Sequence, residues 1–174
     1  MGILTAIKNA LSSKSAVNGT LPPVAYIYDN VNLCYIEELN DDLSKAIVGA
    51  AIVLEQEPNN PADKKAVCVK CAGARIGYLY KSRLKTKLFS ALNKPGVILT
   101  GVITKRNGTE ITMDIEHRED ITVIVSAHGK SYHKDAWCVK DANGVKEIKL
   151  SEAIKAGYEP CLKCNKYIVN RGKG

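Results

Sequence analysis

The fold is decided by residues 57–67, which read EPNNPADKKAV. The two prolines of this stretch stop the β-prone run before it, because proline has no N–H to donate to a sheet. Asn59, Asn60 and Asp63 are residue types that form turns by bonding to nearby backbone groups. The stretch therefore predicts a rigid turn between two strands, with polar side chains beside a basic strand.

Runs of β-prone residues lie on both sides of this turn. Residues 82–93 predict the one central helix, with Leu84 and Leu88 at helical spacing on one face. Asn107-Gly108 is typical of a two-residue hairpin turn between the last two runs. A helix among five or six short strands predicts a mainly β protein built on a small barrel. The β-prone runs from which these strands are expected cover residues 24–28, 32–37, 46–57, 66–70, 75–80, 97–105 and 109–116.

The charge of the chain is positive and unevenly placed. The net charge is +7, and residues 121–174 carry 10 basic against 5 acidic side chains. No acidic residue occurs between Asp63 and Glu110, and a surface of one sign attracts phosphate backbones. The alternative is a solvated basic face without a ligand. The basic residues of this segment are Lys64, Lys65, Lys70, Arg75, Lys81, Arg83, Lys85, Lys87, Lys94, Lys105 and Arg106.

The first 29 residues predict an N-terminal helix and a linker. Residues 3–12 have apolar side chains at helical spacing, and residues 12–23 are rich in Ser, Asn, Gly and Pro. No apolar run has the length of a signal peptide or a membrane span, so we expect a cytoplasmic protein without membrane contact. Six cysteines in a reducing compartment favour metal binding over disulfides.

Residues 57–67 and the later Gly77-Tyr78-Leu79 resemble the motifs of the HIRAN domain family. That family has an acidic residue followed by Pro-x-Asn-Pro-x-Asp-x-x-Ala-Val, and then Gly-Tyr-Leu. The resemblance covers about residues 30–120 and implies a compact barrel similar to an OB-fold. HIRAN domains occur alone in bacteria and phages, and fused to DNA-remodelling helicases, where they grip the 3′ end of single-stranded DNA. The resemblance therefore implies single-stranded DNA binding in repair, recombination or a mobile element.

The resemblance also places particular residues in a nucleic-acid site. It implies that Asn60 and Asp63 line the end-binding pocket, with Asp63 accepting from a 3′-hydroxyl, and that Lys81 contacts phosphate. Ala62 stands where the family often has an aromatic residue, which removes one stacking platform. Independently, four cations open the predicted helix and would suit either a row of phosphates or a solvated helix face. The predicted site comprises Asn60, Asp63, Lys64, Lys65, Tyr78, Tyr80, Lys81, Arg83, Lys85 and Lys87, with Tyr78 or Tyr80 available to stack.

The C-terminal part carries a set of metal-ligand residues. A His-x₄-Cys pair and a Cys-x₂-Cys pair make an N/S set that suits tetrahedral Zn²⁺. Between the pairs, residues 151–157 predict a short helix with Ser151 as N-cap. The pattern resembles the metal-binding module of Ada-like DNA-repair proteins and of some bacterial nuclease tails, over about residues 122–167. We expect a small α+β zinc module at residues 121–168, followed by a basic tail at 169–174. The predicted ligands are His133, Cys138, Cys161 and Cys164.

Other patterns compete with this interpretation. Cys68 and Cys71 lie in a predicted strand, where residues three apart point to opposite faces, so we expect one in the core and one on the surface. His133, Asp135 and the Cys-x₂-Cys pair partly match the zinc deaminase pattern, with Asp in place of its Glu. A protein-interaction adaptor, docking a DNA-processing partner, is a further alternative. The sequence shows no catalytic motif or small-molecule site, so we expect no enzymatic activity.

Overall fold

The computed structural model describes residues 21–35, 43–140 and 143–165. It divides into two compact units, one of residues 28–117 and one of residues 22–27 together with the described residues from 118 onward. The predicted N-terminal helix at 3–12 and the basic tail at 169–174 lie outside the described residues. The sequence-based division assigned residues 1–29 to an N-terminal helix and linker, whereas the structure groups residues 22–27 with the unit that contains the described residues from 118 onward.

The first unit is a closed β-barrel, which confirms the mainly β fold class. Its strands follow the order β1-β4-β3-β2-β5-β6, with antiparallel pairing of β1 with β4 and of β2 with both β3 and β5. The elements are β1 (Val24–Cys34), β2 (Ala51–Glu57), β3 (Ala66–Cys71), β4 (Ala74–Leu79), α1 (Arg83–Leu92), β5 (Ile98–Asn107) and β6 (Glu110–Arg118).

The barrel encloses one large apolar core. Ile111, Met113 and Ile115 alternate along β6 with half-buried neighbours, and all three are buried, as their period of two requires. The helix α1 adds Leu88 to the same core, and Ser82 caps it by accepting from the Lys85 N–H at 3.1 Å. The predicted helix at 82–93 is confirmed.

Two predicted strands differ from those observed. Residues 24–28 and 32–34 of two predicted runs belong to a single strand β1, while residues 36 and 37 lie outside the described residues. The strand continues through Asn30, whose φ of 56° is stabilised by an N–H bond to Asp114 Oδ1 at 2.9 Å. The run at 46–57 is a strand only from Ala51, because Gly49 turns the chain with a φ of 86°. The Ala50 N–H then bonds to the Ile47 carbonyl at 3.0 Å, which closes a turn ahead of the strand.

The cysteine pair of β3 is only partly as expected. Cys71 belongs to the main barrel core, while Cys68 lies on the other face in a small cluster with Ala66 and Tyr78. The prediction of opposite faces is therefore confirmed, but the expected surface position is wrong because both cysteines are buried. Burial raises the pKa of the Cys68 thiol to about 12.

The second unit is a small α+β module. Its apolar core contains Ala25, Val123, Val125, Tyr132, Leu150 and Ala153. Strands β7 and β9 pair antiparallel, and β8 and β10 pair parallel. The elements are β7 (Thr122–Val125), β8 (Ser131–Tyr132), a 3-10 turn (Ala136–Cys138), β9 (Lys146–Lys149), α2 (Leu150–Lys155) and β10 (Glu159–Pro160).

The cap of α2 differs from the prediction. The helix begins at Leu150 rather than after Ser151, so Ser151 is not the N-cap. Asp120 instead accepts from the Ser151 N–H at 2.8 Å and from its hydroxyl at 2.7 Å. A carboxylate distant in sequence thus takes the anionic role that a helix start favours. Gly157, with a φ of 82°, follows the end of the helix as expected.

No helix in the described part of the chain has the length and apolar content needed to cross a membrane.

Candidate metal centre and nucleic-acid surface

All four predicted ligands meet in the second unit. The side-chain donor atoms of His133, Cys138, Cys161 and Cys164 lie within 4.8 Å of one another. Among the described residues this is the one group of three or more His, Cys, Asp or Glu side chains with such geometry. The protein therefore holds a His/Cys group that could bind a metal ion.

The separations within the group fit a tetrahedral ion. A tetrahedron with Zn–S bonds of about 2.3 Å and a Zn–N bond of about 2.0 Å has S···S edges of about 3.8 Å and S···N edges of about 3.5 Å. The Sγ atoms of Cys138 and Cys161 are 3.5 Å apart, and Cys164 Sγ is 3.8 Å from His133 Nδ1. The sulfur separation also exceeds a disulfide bond, which is about 2.05 Å. All six cysteines are free.

Backbone pairing holds the ligand loops together. His133 exchanges two backbone bonds with Ile124 on β7, each 2.8 Å long. The Tyr132 carbonyl accepts from the Cys161 N–H at 3.1 Å, which places the Cys-x₂-Cys turn beside the histidine. The parallel pairing of β8 with β10 therefore explains why ligands 28 residues apart, His133 and Cys161, lie together.

Asn165 is a supporting residue that the sequence analysis missed. Its side chain is buried, and its Nδ2 donates to the Tyr132 carbonyl at 3.3 Å and lies 3.4 Å from Cys164 Sγ. Such a donor favours a thiolate and fixes the orientation of the ligand. Its place directly after the last ligand could have pointed to it, although the contact with Tyr132 depends on the fold.

The protonation of the group follows from its surroundings. Burial and the neighbouring thiols raise the pKa of Cys138 to about 11. The pKa of Cys161 is lowered, because the N–H groups of Cys164 and Lys163 and its neighbouring thiols outweigh the effect of its burial. Burial also lowers the pKa of His133, so the imidazole is neutral at pH 7, as a metal ligand must be.

Metal binding is therefore expected to release protons. Cys138 is protonated at pH 7 and must lose its proton to bind, so affinity should rise about tenfold per pH unit for each proton displaced. Calorimetric titration of zinc into metal-free protein, in two buffers of different ionisation enthalpy, measures the number released. Below the lowered pKa of His133 a further proton competes for the imidazole, and affinity should fall more steeply. Heat independent of the buffer would contradict this expectation.

The His/Cys group differs from the zinc deaminase pattern in its number of donor residues. A catalytic zinc site keeps one coordination position open, whereas Cys138 here completes a fourth position. Asp135, which would replace the catalytic Glu, is exposed, and its backbone carbonyl accepts the Cys138 N–H at 3.0 Å. The four donor atoms equal the number that a tetrahedral ion without an open position would take.

In the barrel, Asn60 organises the turn that the sequence singled out. Its Oδ1 accepts from the N–H groups of Ala62 and Asp63 at 3.0 and 3.1 Å, and its Nδ2 donates to Glu57 Oε2 at 2.8 Å. Only 7% of the residue is exposed. The amide of Asn60 is therefore engaged within the turn, and its role in an end-binding pocket stays a prediction.

Asp63 is bound to Lys85 in an ion pair. The carboxylate also accepts from the Lys65 N–H at 2.8 Å, and the lysine bond is the main cause of its lowered pKa. The Lys85 side chain is 5% exposed, whereas that of Asp63 is 42% exposed. Lys85 is therefore buried and paired, while Lys81, Arg83 and Lys87 are exposed.

The two candidate stacking tyrosines have different environments. Tyr78 is buried, and its hydroxyl donates to Glu57 Oε2 at 2.5 Å, so its ring offers little surface for a base. Burial and this bond raise the pKa of Tyr78 to about 12. Tyr80, two residues later in the chain, is 55% exposed and keeps an accessible ring.

The acid-free segment is partly neutralised by acids from outside it. Glu55 pairs with Lys70 at 2.9 Å, and Glu57 pairs with Arg75 at 3.1 Å. Arg106 donates to the carbonyls of Leu43 and Ala46. Strand pairing thus brings β2 carboxylates against the basic strands, which leaves a smaller basic surface than the sequence implied. The predicted site residues that remain exposed are Lys64, Lys65, Tyr80, Lys81, Arg83 and Lys87.

A cavity of about 210 Å³ opens beside this surface. It lies between β1 and the start of α1, and Tyr80 and Lys85 are among its lining residues. Val31 and Asn32 of β1 also line it, and sequence reasoning missed both because the pairing of β1 with β4 carries no local pattern.

The fold and the His/Cys group define a mainly β protein with a closed barrel and a possible metal centre. No family model and no curated protein matches the chain. A crystal structure of a protein from Lactobacillus plantarum, a structural-genomics target, is 25% identical, with a TM-score of 0.43. The match covers 53% of this chain and 95% of the other. A similarity of this size carries no conclusion about function.

Proposed function

We propose that this protein binds single-stranded nucleic acid on the barrel surface at Tyr80, Lys81 and Arg83. The observation that carries the proposal is the cavity at the start of α1, which the exposed Tyr80 helps to line. The exposed Lys81 follows Tyr80 directly, and the exposed Arg83 follows two residues later. An exposed aromatic ring stacks on any base, and adjacent cations contact the backbone phosphates. The resemblance of residues 57–67 to the HIRAN motif supports DNA as the partner.

Recognition of a 3′ end rests on Asp63. Its carboxylate is ionised and partly exposed, and Lys85 holds it at the turn. A carboxylate in this state accepts from a terminal hydroxyl and repels a terminal phosphate. The proposal therefore includes a preference for a free 3′-hydroxyl, in repair, recombination or a mobile element.

The second unit has a structural role in this proposal, with zinc as its metal. Three thiol ligands and one imidazole are the donor set that structural zinc sites use, and free thiols suit a reducing cytoplasm. The ion would stabilise a module whose apolar core is small.

Removal of the stacking ring and its neighbouring cations should weaken binding in different ways. Tyr80→Ala should weaken binding of a labelled single strand about 5- to 100-fold, the effect of losing one stacked base. The double variant Lys81→Ala/Arg83→Ala should reduce the slope of log affinity against log salt by about 1.4, since each phosphate contact contributes about 0.7. Fluorescence anisotropy across a salt series measures both.

Lys105→Ala is the matched control, because Lys105 is an exposed cation on β5. It should change neither quantity beyond a small, general charge effect. Strands that end in a 3′-hydroxyl and in a 3′-phosphate test the end preference, which Asp63→Asn should abolish. Absence of binding at low salt would refute the proposal and favour a protein-interaction adaptor.

A further inference from the structure

Trp137 lies exposed beside the metal ligands. It is the single tryptophan of the chain, 67% exposed, and it directly precedes the ligand Cys138 in the 3-10 turn. A large ring left in water on a short turn is unusual for a folded protein, and exposed tryptophans concentrate at binding surfaces. The position gives the ring no role in the core of the module.

The second ligand loop lies against this ring. Lys163, between Cys161 and Cys164, places its Nζ 4.7 Å from the centroid of the Trp137 ring. In the same loop Leu162 is 72% exposed. Two loops that end on one His/Cys group therefore present an aromatic ring, an aliphatic side chain and a cation together. We call Trp137, Leu162 and Lys163 the Trp137 surface.

We propose that the Trp137 surface binds an unpaired nucleobase, which stacks on the indole while Lys163 contacts the adjoining phosphate. This inference rests on the proposed function, since it takes the same class of ligand, single-stranded nucleic acid. Stacking on an aromatic ring is tolerant of base identity. Because Lys163 Nζ lies over one face of the indole, the base stacks on the opposite face, and the ammonium group contacts the phosphate.

Charge favours nucleic acid over a protein partner at this surface. Residues 121–174 carry ten basic and five acidic side chains, and Lys140 adds an exposed cation two residues after Cys138. The exposed acid of the same loop is Asp135. The ring is also restrained, because the adjacent ligand holds its turn, so little conformational entropy is lost when a base stacks.

The fluorescence of Trp137 reports on this surface alone, since the chain has no other tryptophan. Titration of the zinc-loaded full chain with oligothymidylate should quench the emission, whereas inorganic polyphosphate of similar charge should not. Anisotropy of the same labelled oligonucleotide should show that Trp137→Ala weakens binding about 5- to 100-fold and that Trp137→Phe weakens it less. Ile154→Ala, at a 50% exposed apolar residue on α2, is the matched control and should bind as the unaltered protein does.

The outcomes separate this inference from the proposed function. Quenching of Trp137 together with weaker binding by Trp137→Ala supports a nucleobase site at the Trp137 surface. Quenching that persists in Tyr80→Ala would show that this surface binds without the barrel site. Binding by anisotropy without quenching would overturn the inference and leave the barrel site intact. Equal quenching by polyphosphate would also overturn it. Unchanged zinc content of Trp137→Ala excludes loss of fold as the cause.

Discussion

Cys161→Ser is expected to abolish metal binding and unfold the C-terminal unit. The four donor atoms lie within 4.8 Å of one another, so serine in place of one thiolate leaves a poorer, incomplete set. Metal binding contributes about 10–16 kcal/mol to the folding of small zinc modules, more than the net stability of most domains. Metal content by mass spectrometry and Trp137 fluorescence, which reports on the unit, measure the two effects.

The barrel should survive this change, because its apolar core is separate from that of the C-terminal unit. Far-UV circular dichroism should therefore keep the β signal of the barrel, while the fluorescence anisotropy of the already exposed Trp137 falls because its turn is released. Cys34→Ser is the matched control, since Cys34 is half-buried and is not one of the four grouped residues. Full metal content and native unfolding in Cys161→Ser would refute a structural metal site.

Gly77→Ala should be among the most damaging single changes in the barrel. A Cβ at this position would lie 2.7 Å from the Cys34 carbonyl oxygen and 2.8 Å from Leu33 Cγ, and the φ of 154° disfavours a side chain. Strands β1 and β4 pair here to close the barrel, so relief of the clash must separate them. We expect a loss of about 3 kcal/mol or more in the free energy of unfolding, measured by urea denaturation.

Gly73→Ala isolates the cost of the backbone conformation. Gly73 has a φ of 85°, but a Cβ there would have no atom within 4 Å. The expected loss is about 1 kcal/mol, from the positive φ alone. If Gly77→Ala and Gly73→Ala lose the same free energy of unfolding, the close contact with β1 is not the reason why position 77 requires glycine.

Local patterns predicted much of the fold. The turn at 57–63, the hairpin of β3 and β4, and the helix α1 each depend on residues within about a dozen positions, so proline, glycine and helical spacing identify them. The metal ligands were predictable for a related reason, because cysteine and histidine at ligand spacing have few other uses in a small module.

Long-range pairing explains what the sequence analysis missed. In the sequence, Lys85 is one of four cations within seven residues, yet it is buried against Asp63, 22 residues earlier. Glu55 and Glu57 neutralise strands that contain no acid of their own, through sheet pairing that no local pattern specifies. Nothing in the local sequence distinguishes Tyr78 from Tyr80, and the closed barrel determines which of the two rings is buried.

The start of strand β1 is synthesised well before the rest of the unit to which it belongs. Residues 22–27 leave the ribosome early, but the unit to which they belong is completed only by residues from 118 onward. The backbone carbonyl of Ala25, for example, accepts from Lys134, 109 residues later. Translation at about 5–20 residues per second separates the two by several seconds. During synthesis the nascent chain therefore carries a β-prone segment whose partners do not yet exist, and the C-terminal unit cannot be produced complete from a fragment that starts at its own sequence boundary.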